Sequence, residues 1–180
     1  MKRPKIIRYA CYFLYAALFR FTPEIYRPYS LFFPAIRRLL VLIFAERCGR
    51  NLRVKHNADI SPHIEIGDDS ELGQNCVIYG GVTLGSNVLM GPGVRIITRN
   101  HRFSDPSIPI RIQGETFAPV KIGDDVWLGA NVVILPGVEI GAHAIVGAGA
   151  IVTRSIPAWA IAGGNPAKVI KFRDYGESGS

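Results

Sequence analysis

The 180-residue sequence predicts an all-β fold, a parallel β-helix with an N-terminal helical arm and one long loop insertion. Three observations point to it. Every sixth residue from Ile60 is apolar through Ile66, Leu72, Ile78, Leu84, Met90 and Ile96, and again from Ile122 through Leu128, Ile134, Ile140, Val146 and Val152. The residue two places earlier is restricted as well: Ala58, Ile64, Ser70, Cys76, Val82, Val88 and Val94, then Val120, Val126, Val132, Val138, Ala144 and Ala150, with Ser70 the single polar member. Glycine often follows the ladder residue, as at Gly67, Gly73, Gly85, Gly91, Gly123, Gly129, Gly141 and Gly147. A period of six matches neither a helix nor the open-ended alternation of a strand. It matches short extended segments that each turn two side chains inward and end in a tight turn. Three such segments close a triangular coil, and stacked coils bury an aliphatic column. The arm then covers residues 1–55, the β-helix 56–155 with its insertion at 98–119, and a C-terminal tail 156–180.

The arm is basic and apolar together. Residues 1–55 carry twelve Lys and Arg against Glu24 and Glu46, a net of +10, while residues 56–180 carry nine against twelve acids, a net of −3. Tyr9–Phe19 is an uncharged run flanked by Lys2, Arg3, Lys5, Arg8 and Arg20, and a second run, Leu39–Ala45, follows Arg37 and Arg38. The first run is too short to span a bilayer, and no small-x-small cleavage site follows it. Pro23, Pro28 and Pro34 divide the segment into two or three short helices. Such helices either pack on the β-helix end or on a neighbouring subunit, or make peripheral membrane contact through residues 1–45. No base-reading module accompanies the charge, so no nucleic-acid partner is expected. Cys11, Cys48 and Cys76 are odd in number and scattered, which suits a reduced, cytoplasmic protein, at the inner face of the membrane if the arm binds lipid.

In the first coils, His56 and His63 fall near turns, where exposure is the default and a functional role carries little weight. Asn75 precedes the inward Cys76, at a corner facing outward. Gly80-Gly81 leaves room for a substrate or for close subunit approach. The ladder then breaks: Ile96 and Ile122 lie 26 residues apart, which is not a multiple of six. Loops longer than about 12–15 residues inside a regular fold are usually functional or disordered. Ile108, Ile110, Ile112 and Phe117 suggest that this one packs against something. His101, at its root, is held by the ladder yet reachable from solvent. It reads either as a general base near neutral pH or as a surface histidine bonded to the loop. The histidines and cysteines show no zinc spacing, and no metal is expected.

The second ladder carries more specific wording. Gly123-Asp124-Asp125-Val126-Trp127-Leu128-Gly129-Ala130 leads to Pro136-Gly137-Val138, then to Gly147-Ala148-Gly149-Ala150, Val152-Thr153-Arg154 and Gly164-Asn165-Pro166-Ala167-Lys168. This succession resembles the hexapeptide-repeat acyltransferases over roughly residues 60–172, in particular the maltose and galactoside O-acetyltransferase branch. The insertion, with His101-Arg102-Phe103 and Ile108-Pro109-Ile110-Arg111-Ile112-Gln113-Gly114, is similar to acetyltransferases of surface-polysaccharide assembly.

The resemblance implies a left-handed β-helix and a homotrimer with acetyl-CoA, as co-substrate, in the groove between neighbours. It makes His101 the general base and the backbone amide of Ala130 the donor to the oxyanion. It places Trp127, Gly129, Ala148, Thr153, Arg154, Asn165, Pro166 and Lys168 along the CoA path. Trp127 reads equally as a core or interface aromatic, and the small residues equally as tight corners. Asn75 and Glu115 match acceptor-side positions, and the group that orients His101 is Glu115, Asp105 or a backbone carbonyl. The arm does not resemble the N-terminal segment of maltose acetyltransferase. The function implied is O-acetylation of a sugar or oligosaccharide hydroxyl in surface-polysaccharide or lipid-linked oligosaccharide synthesis. The alternatives are N-acetylation of an amino-sugar nucleotide, or a non-catalytic assembly protein.

Overall fold

The computed structural model describes residues 4–24, 30 and 32–174; Lys2, Arg3 and Pro28 lie outside the described residues. Short strands alternate with corners and stack into three parallel sheets. The first sheet runs Arg47–Cys48, Ile64–Ile66, Val82–Leu84, Val120–Ile122 and Glu139–Ile140. The second runs Arg53–Val54, Glu71–Leu72, Leu89–Met90, Trp127–Leu128, Ile145–Val146 and Ala160–Gly163, closed by the antiparallel Lys168–Phe172. The third runs Asp59–Ile60, Val77–Ile78, Arg95–Ile96, Val133–Ile134 and Ile151–Val152. Ile64 pairs with Val82 and Val77 with Arg95, so each coil holds three six-residue steps. Across the break Val82 pairs with Val120, and the register survives the insertion.

Every ladder residue and every residue two places before it is buried. Ser70 is accommodated because its hydroxyl donates to the Gly85 carbonyl at 3.0 Å and accepts from the Val88 amide at 3.1 Å. Burial pushes the Cys76 thiol up to about 12, as an inert core residue requires. The coils begin at Arg47, ahead of the expected start at residue 56, because Leu52 and Val54 already occupy inward slots. At the other end, part of the expected tail is strand.

Corners are built on left-handed backbone. One column holds Asn57, Asn75, Gly93, Asn131 and Gly149, and another Asn51, Asp69, Asn87, Asp125, His143 and Trp159, all at positive φ. Asn and Asp tolerate that conformation. Side chains then bond from coil to coil: the Asn57 amide donates to Asn75 Oδ1 at 3.1 Å, and the Asn51 amide to Asp69 Oδ1 at 2.9 Å.

The arm forms helix α1 (Lys5–Ala17), a 3-10 turn (Phe19–Phe21) and helix α2 (Phe33–Phe44), which opens with Pro34 in its first turn. Tyr15 hydroxyl donates to the Ala58 carbonyl at 2.7 Å, and Tyr12 and Tyr15 both meet the Phe44 ring. Arg37 is fully buried; it donates to the carbonyls of Val54, Thr22 and Pro23 and lies 3.4 Å from Glu24. The inner faces of the arm therefore pack on the first coils. No described helix is long and apolar enough to cross a membrane.

Candidate active site

The insertion leaves the prism at the corner between the third and first sheets. Thr98 is buried at its root; its hydroxyl donates to the Gly80 carbonyl at 2.7 Å, and its own carbonyl accepts from the Ala118 amide at 2.9 Å. Beyond that pin, Arg99–His101 and Glu115–Phe117 form an antiparallel hairpin with Arg99 opposite Phe117 and His101 opposite Glu115. Cross-strand partners share a face, as do residues two apart, so all four side chains lie on one face. His101 Nε2 stands 4.0 Å from Glu115 Oε1, outside hydrogen-bond reach, while Arg99 reaches the other carboxylate oxygen at 3.4 Å. The imidazole is largely exposed.

Phe117 seats the hairpin. Its ring lies where a Cβ on Gly81 would stand, and Gly81 has φ +84. The room expected at Gly80-Gly81 is thus taken in part by this ring. The rest opens into a cleft of about 660 Å³ over the third sheet. Arg99, Phe117 and Tyr79 line it on one side and Tyr12, from α1, on another, with Glu46, Asp59, Ser61 and His63 also exposed to it.

His63 is the site residue that sequence reasoning passed over. Its Nδ1 lies 2.8 Å from Glu46 Oε1; the carboxylate can only accept, so Nδ1 carries the proton, and Nε2 is left to accept from the Tyr9 hydroxyl at 3.3 Å. A usable signal existed, since Arg47 pairs with Glu65 and the coil repeat therefore brings Glu46 beside Ile64.

The other expected residues gather elsewhere. Ala130 and Ala148 follow the second-sheet strands Trp127–Leu128 and Ile145–Val146, at the corner between the second and third sheets. A Cβ on Gly129 would lie 2.5 Å from the Ala148 amide nitrogen, so glycine there is demanded by corner stacking whatever else it does. Asn165 and Pro166 sit in the turn above this corner, where the Ile151 amide donates to Gly164 and the Ala167 amide to Ile151. Lys168 opens the final strand, and Trp127 is half-exposed on the outer side of the second sheet. Asn75 belongs to the same edge, lower down, as a corner residue bonded to Asn57. Thr153 and Arg154 lie beyond the third sheet, on the edge that also carries the His101 hairpin. Arg154 and Lys168 are exposed and form no ion pair with any described residue. Asp105 is occupied within its own loop, where the Ser107 hydroxyl and amide hold its carboxyl below the usual carboxylate range. One chain therefore carries the expected residues at two different corners: His101 and Glu115 at one, Ala130 and Ala148 at the other. Among the described residues no group of three or more His, Cys, Asp and Glu could hold a metal.

The bacterial transferase hexapeptide model (six repeats) matches residues 63–98 and 119–154, on either side of the hairpin. The galactoside O-acetyltransferase of Escherichia coli is 36% identical over 138 residues, 71% of this chain and 62% of that one. A maltose O-acetyltransferase of Clostridium difficile 630 has a solved structure with a TM-score of 0.75 and 30% identity, covering 94% of this chain and 87% of that one. A hexapeptide-repeat acetyltransferase of Vibrio cholerae in complex with acetyl-CoA gives a TM-score of 0.76 at 27% identity over 93% of this chain and 87% of that one. The chain spans between 43% and 63% of the length of the first sequence relatives it matches. The coils wind left-handed, against the general rule for crossovers between parallel strands. With its six-residue ladder, its three-sided prism and its single corner insertion, the chain belongs to the left-handed β-helix family of hexapeptide-repeat acyltransferases.

Proposed function

We propose that this protein is a homotrimeric O-acetyltransferase that moves acetyl from acetyl-CoA to a sugar hydroxyl. Its acceptor belongs to surface-polysaccharide or lipid-linked oligosaccharide synthesis on the cytoplasmic side of the membrane. The observation that carries the reading is the shared hairpin face. His101 and Glu115 stand one side-chain step beyond Arg99 and Phe117, which wall a cleft that also holds the carboxylates of Glu46 and Asp59 and the rings of Tyr12 and Tyr79. Aromatic faces suit the C–H surface of a sugar, and carboxylates accept its hydroxyl protons.

The chemistry follows from those groups. Neutral His101 takes the acceptor proton as the hydroxyl oxygen attacks the thioester carbonyl, for about 10²–10⁴ in rate. The backbone amide of Ala130, from the neighbouring copy, donates to the oxyanion that forms. When the tetrahedral centre collapses, the C–S bond breaks, and the departing CoA thiolate takes the proton back from the imidazolium. Glu115 orients and stabilises that imidazolium by closing the 4.0 Å separation to a hydrogen bond when acceptor binds. The exposed small residues at Ala148 and Gly149 let the pantetheine arm lie against backbone amides. Arg154 and Lys168, without ion-pair partners among the described residues, meet the phosphates, Asn165-Pro166 borders the nucleotide and Trp127 walls the acyl pocket. Thr153 extends this path, and Asn75 serves the acceptor side.

Thiol release from acetyl-CoA, measured against sugars, nucleotide sugars and polysaccharide fragments, tests the reading. Acceptor-dependent release is expected, with kcat falling about 10²–10⁴ in His101→Ala. Release only with amino sugars, weakly affected by His101→Ala, would replace O- by N-acetylation, because a deprotonated amine needs less help from a base. Absence of release together with no acetyl-CoA binding by calorimetry would leave the assembly protein.

A further inference from the structure

The inner side of α1 is occupied by the first coils, and its outer side is not covered by any described residue. That outer side consists of Ile6, Ala10, Phe13 and Ala17 at helical spacing, flanked by Ile7, Tyr9, Leu14 and Leu18. Ile6 is 80% exposed, Phe13 74% and Leu18 61%, values that mark these side chains as standing free of the fold. No charged residue interrupts the stripe. Arg8, the one charge inside the run, turns away from it to bond the carbonyls of Phe44 and Pro62. Phe32, just before helix α2, and Leu39 on it are 76% and 55% exposed. An apolar surface of this extent on a water-facing helix marks a site of association.

Charge selects the partner. Residues 1–55 carry a net of +10, with exposed Lys5 at the start of α1; the guanidiniums of Arg47, Arg50 and Arg53 on the first coil are mostly exposed, although each faces a carboxylate, Glu65, Asp68 and Glu71, at 4.0, 3.2 and 2.9 Å. Two such arms brought together would repel, whereas anionic headgroups complement them. The helix is 13 residues long, which is a length for lying along an interface and not for crossing one.

We propose that α1 docks in the plane of an anionic lipid surface, with the Ile6–Phe13–Leu18 side immersed and the basic residues of the arm at the headgroups. The inference goes beyond the acyl-transfer reading and does not depend on it.

Co-sedimentation of the full chain with vesicles of phosphatidylcholine, with and without phosphatidylglycerol, tests it. The expected result is pelleting with the anionic vesicles, weakened by added salt, and none with phosphatidylcholine alone. Phe13→Asp, or Ile6→Asp, should lower the partition coefficient roughly tenfold while circular dichroism and thiol release stay unchanged. Absence of pelleting with anionic vesicles overturns the proposal, as does pelleting that ignores both substitutions and lipid charge. If the substitutions instead reduce the particle mass seen by light scattering and no vesicle binding exists, the stripe joins copies of this chain and lipid docking is wrong. Because thiol release is read separately, loss of docking and loss of acyl transfer are told apart.

Discussion

Gly81 shows how one missing side chain positions the hairpin that carries His101. Its φ of +84 suits glycine, and Phe117 fills the space a Cβ would need. Gly81→Val should therefore cost about 1–3 kcal/mol through backbone strain alone, and it should lift Phe117 and with it the hairpin that carries His101. The expected outcome is a large loss of kcat with the far-ultraviolet spectrum of the coils retained; a variant with full activity would show that the hairpin is held by something else. The Gly-Gly pair was legible in the sequence as cleared space. What fills it was not, because Phe117 lies 36 residues further along and only the stacking of coils brings it back. His63 was hidden for a similar reason, since Tyr9 is 54 residues away and Glu46 belongs to a coil that begins earlier than the ladder suggested.

Elements are joined by polar groups that the six-residue pattern does not report. Arg37 ties α2 to the Val54 carbonyl and to the Thr22–Glu24 segment, and Glu24 in turn accepts from the His56 amide. Arg37→Ala leaves Glu24 buried without its partner, so chemical denaturation should show a loss of about 3–5 kcal/mol. The double variant Arg37→Met/Glu24→Gln should lose less than the single one. At the other end, His143 stacks on Trp159 with ring centroids 4.0 Å apart, and Arg173, just past the last strand, reaches Asp125 and the His143 carbonyl. The hydrogen bond from His143, with help from Arg173, holds the Asp125 carboxyl below the usual carboxylate range. A depressed carboxyl contributes stability that is present above its unfolded value, about 3.9, and is lost as pH falls through the lower folded value. Acid titration followed by tryptophan fluorescence should show this end loosening below that range, and Asp125→Asn should abolish the step. The surface exposure of Asp125 keeps the effect small. The sequence announced Asn75 as a corner residue, but a tryptophan and a histidine in left-handed backbone carry no such signal.

At the scale of the whole molecule, the proposed sharing of the site between copies makes a sharp prediction. If acyl transfer needs His101 from one copy and the Ala130–Ala148 corner from the next, chains with defects at different corners complement each other. His101→Ala and Ala148→Trp chains, each inactive alone, should on refolding together recover roughly a quarter of the wild-type rate, as random mixing in a cyclic trimer requires. No recovery in trimers verified as mixed would place the whole reaction within a single chain. The prism was readable because every inward slot meets the same surroundings, so composition repeats with position. The cleft beside the hairpin was not, since α1, the first coil and the hairpin each contribute to it and none repeats.

The insertion leaves the pairing of Val82 with Val120 in the same alignment as the uninterrupted pairs below it. The scaffold is therefore indifferent to what is spliced in at that bend. One excursion could be exchanged for another of different length, and the neighbouring strands would still dock in the same alignment.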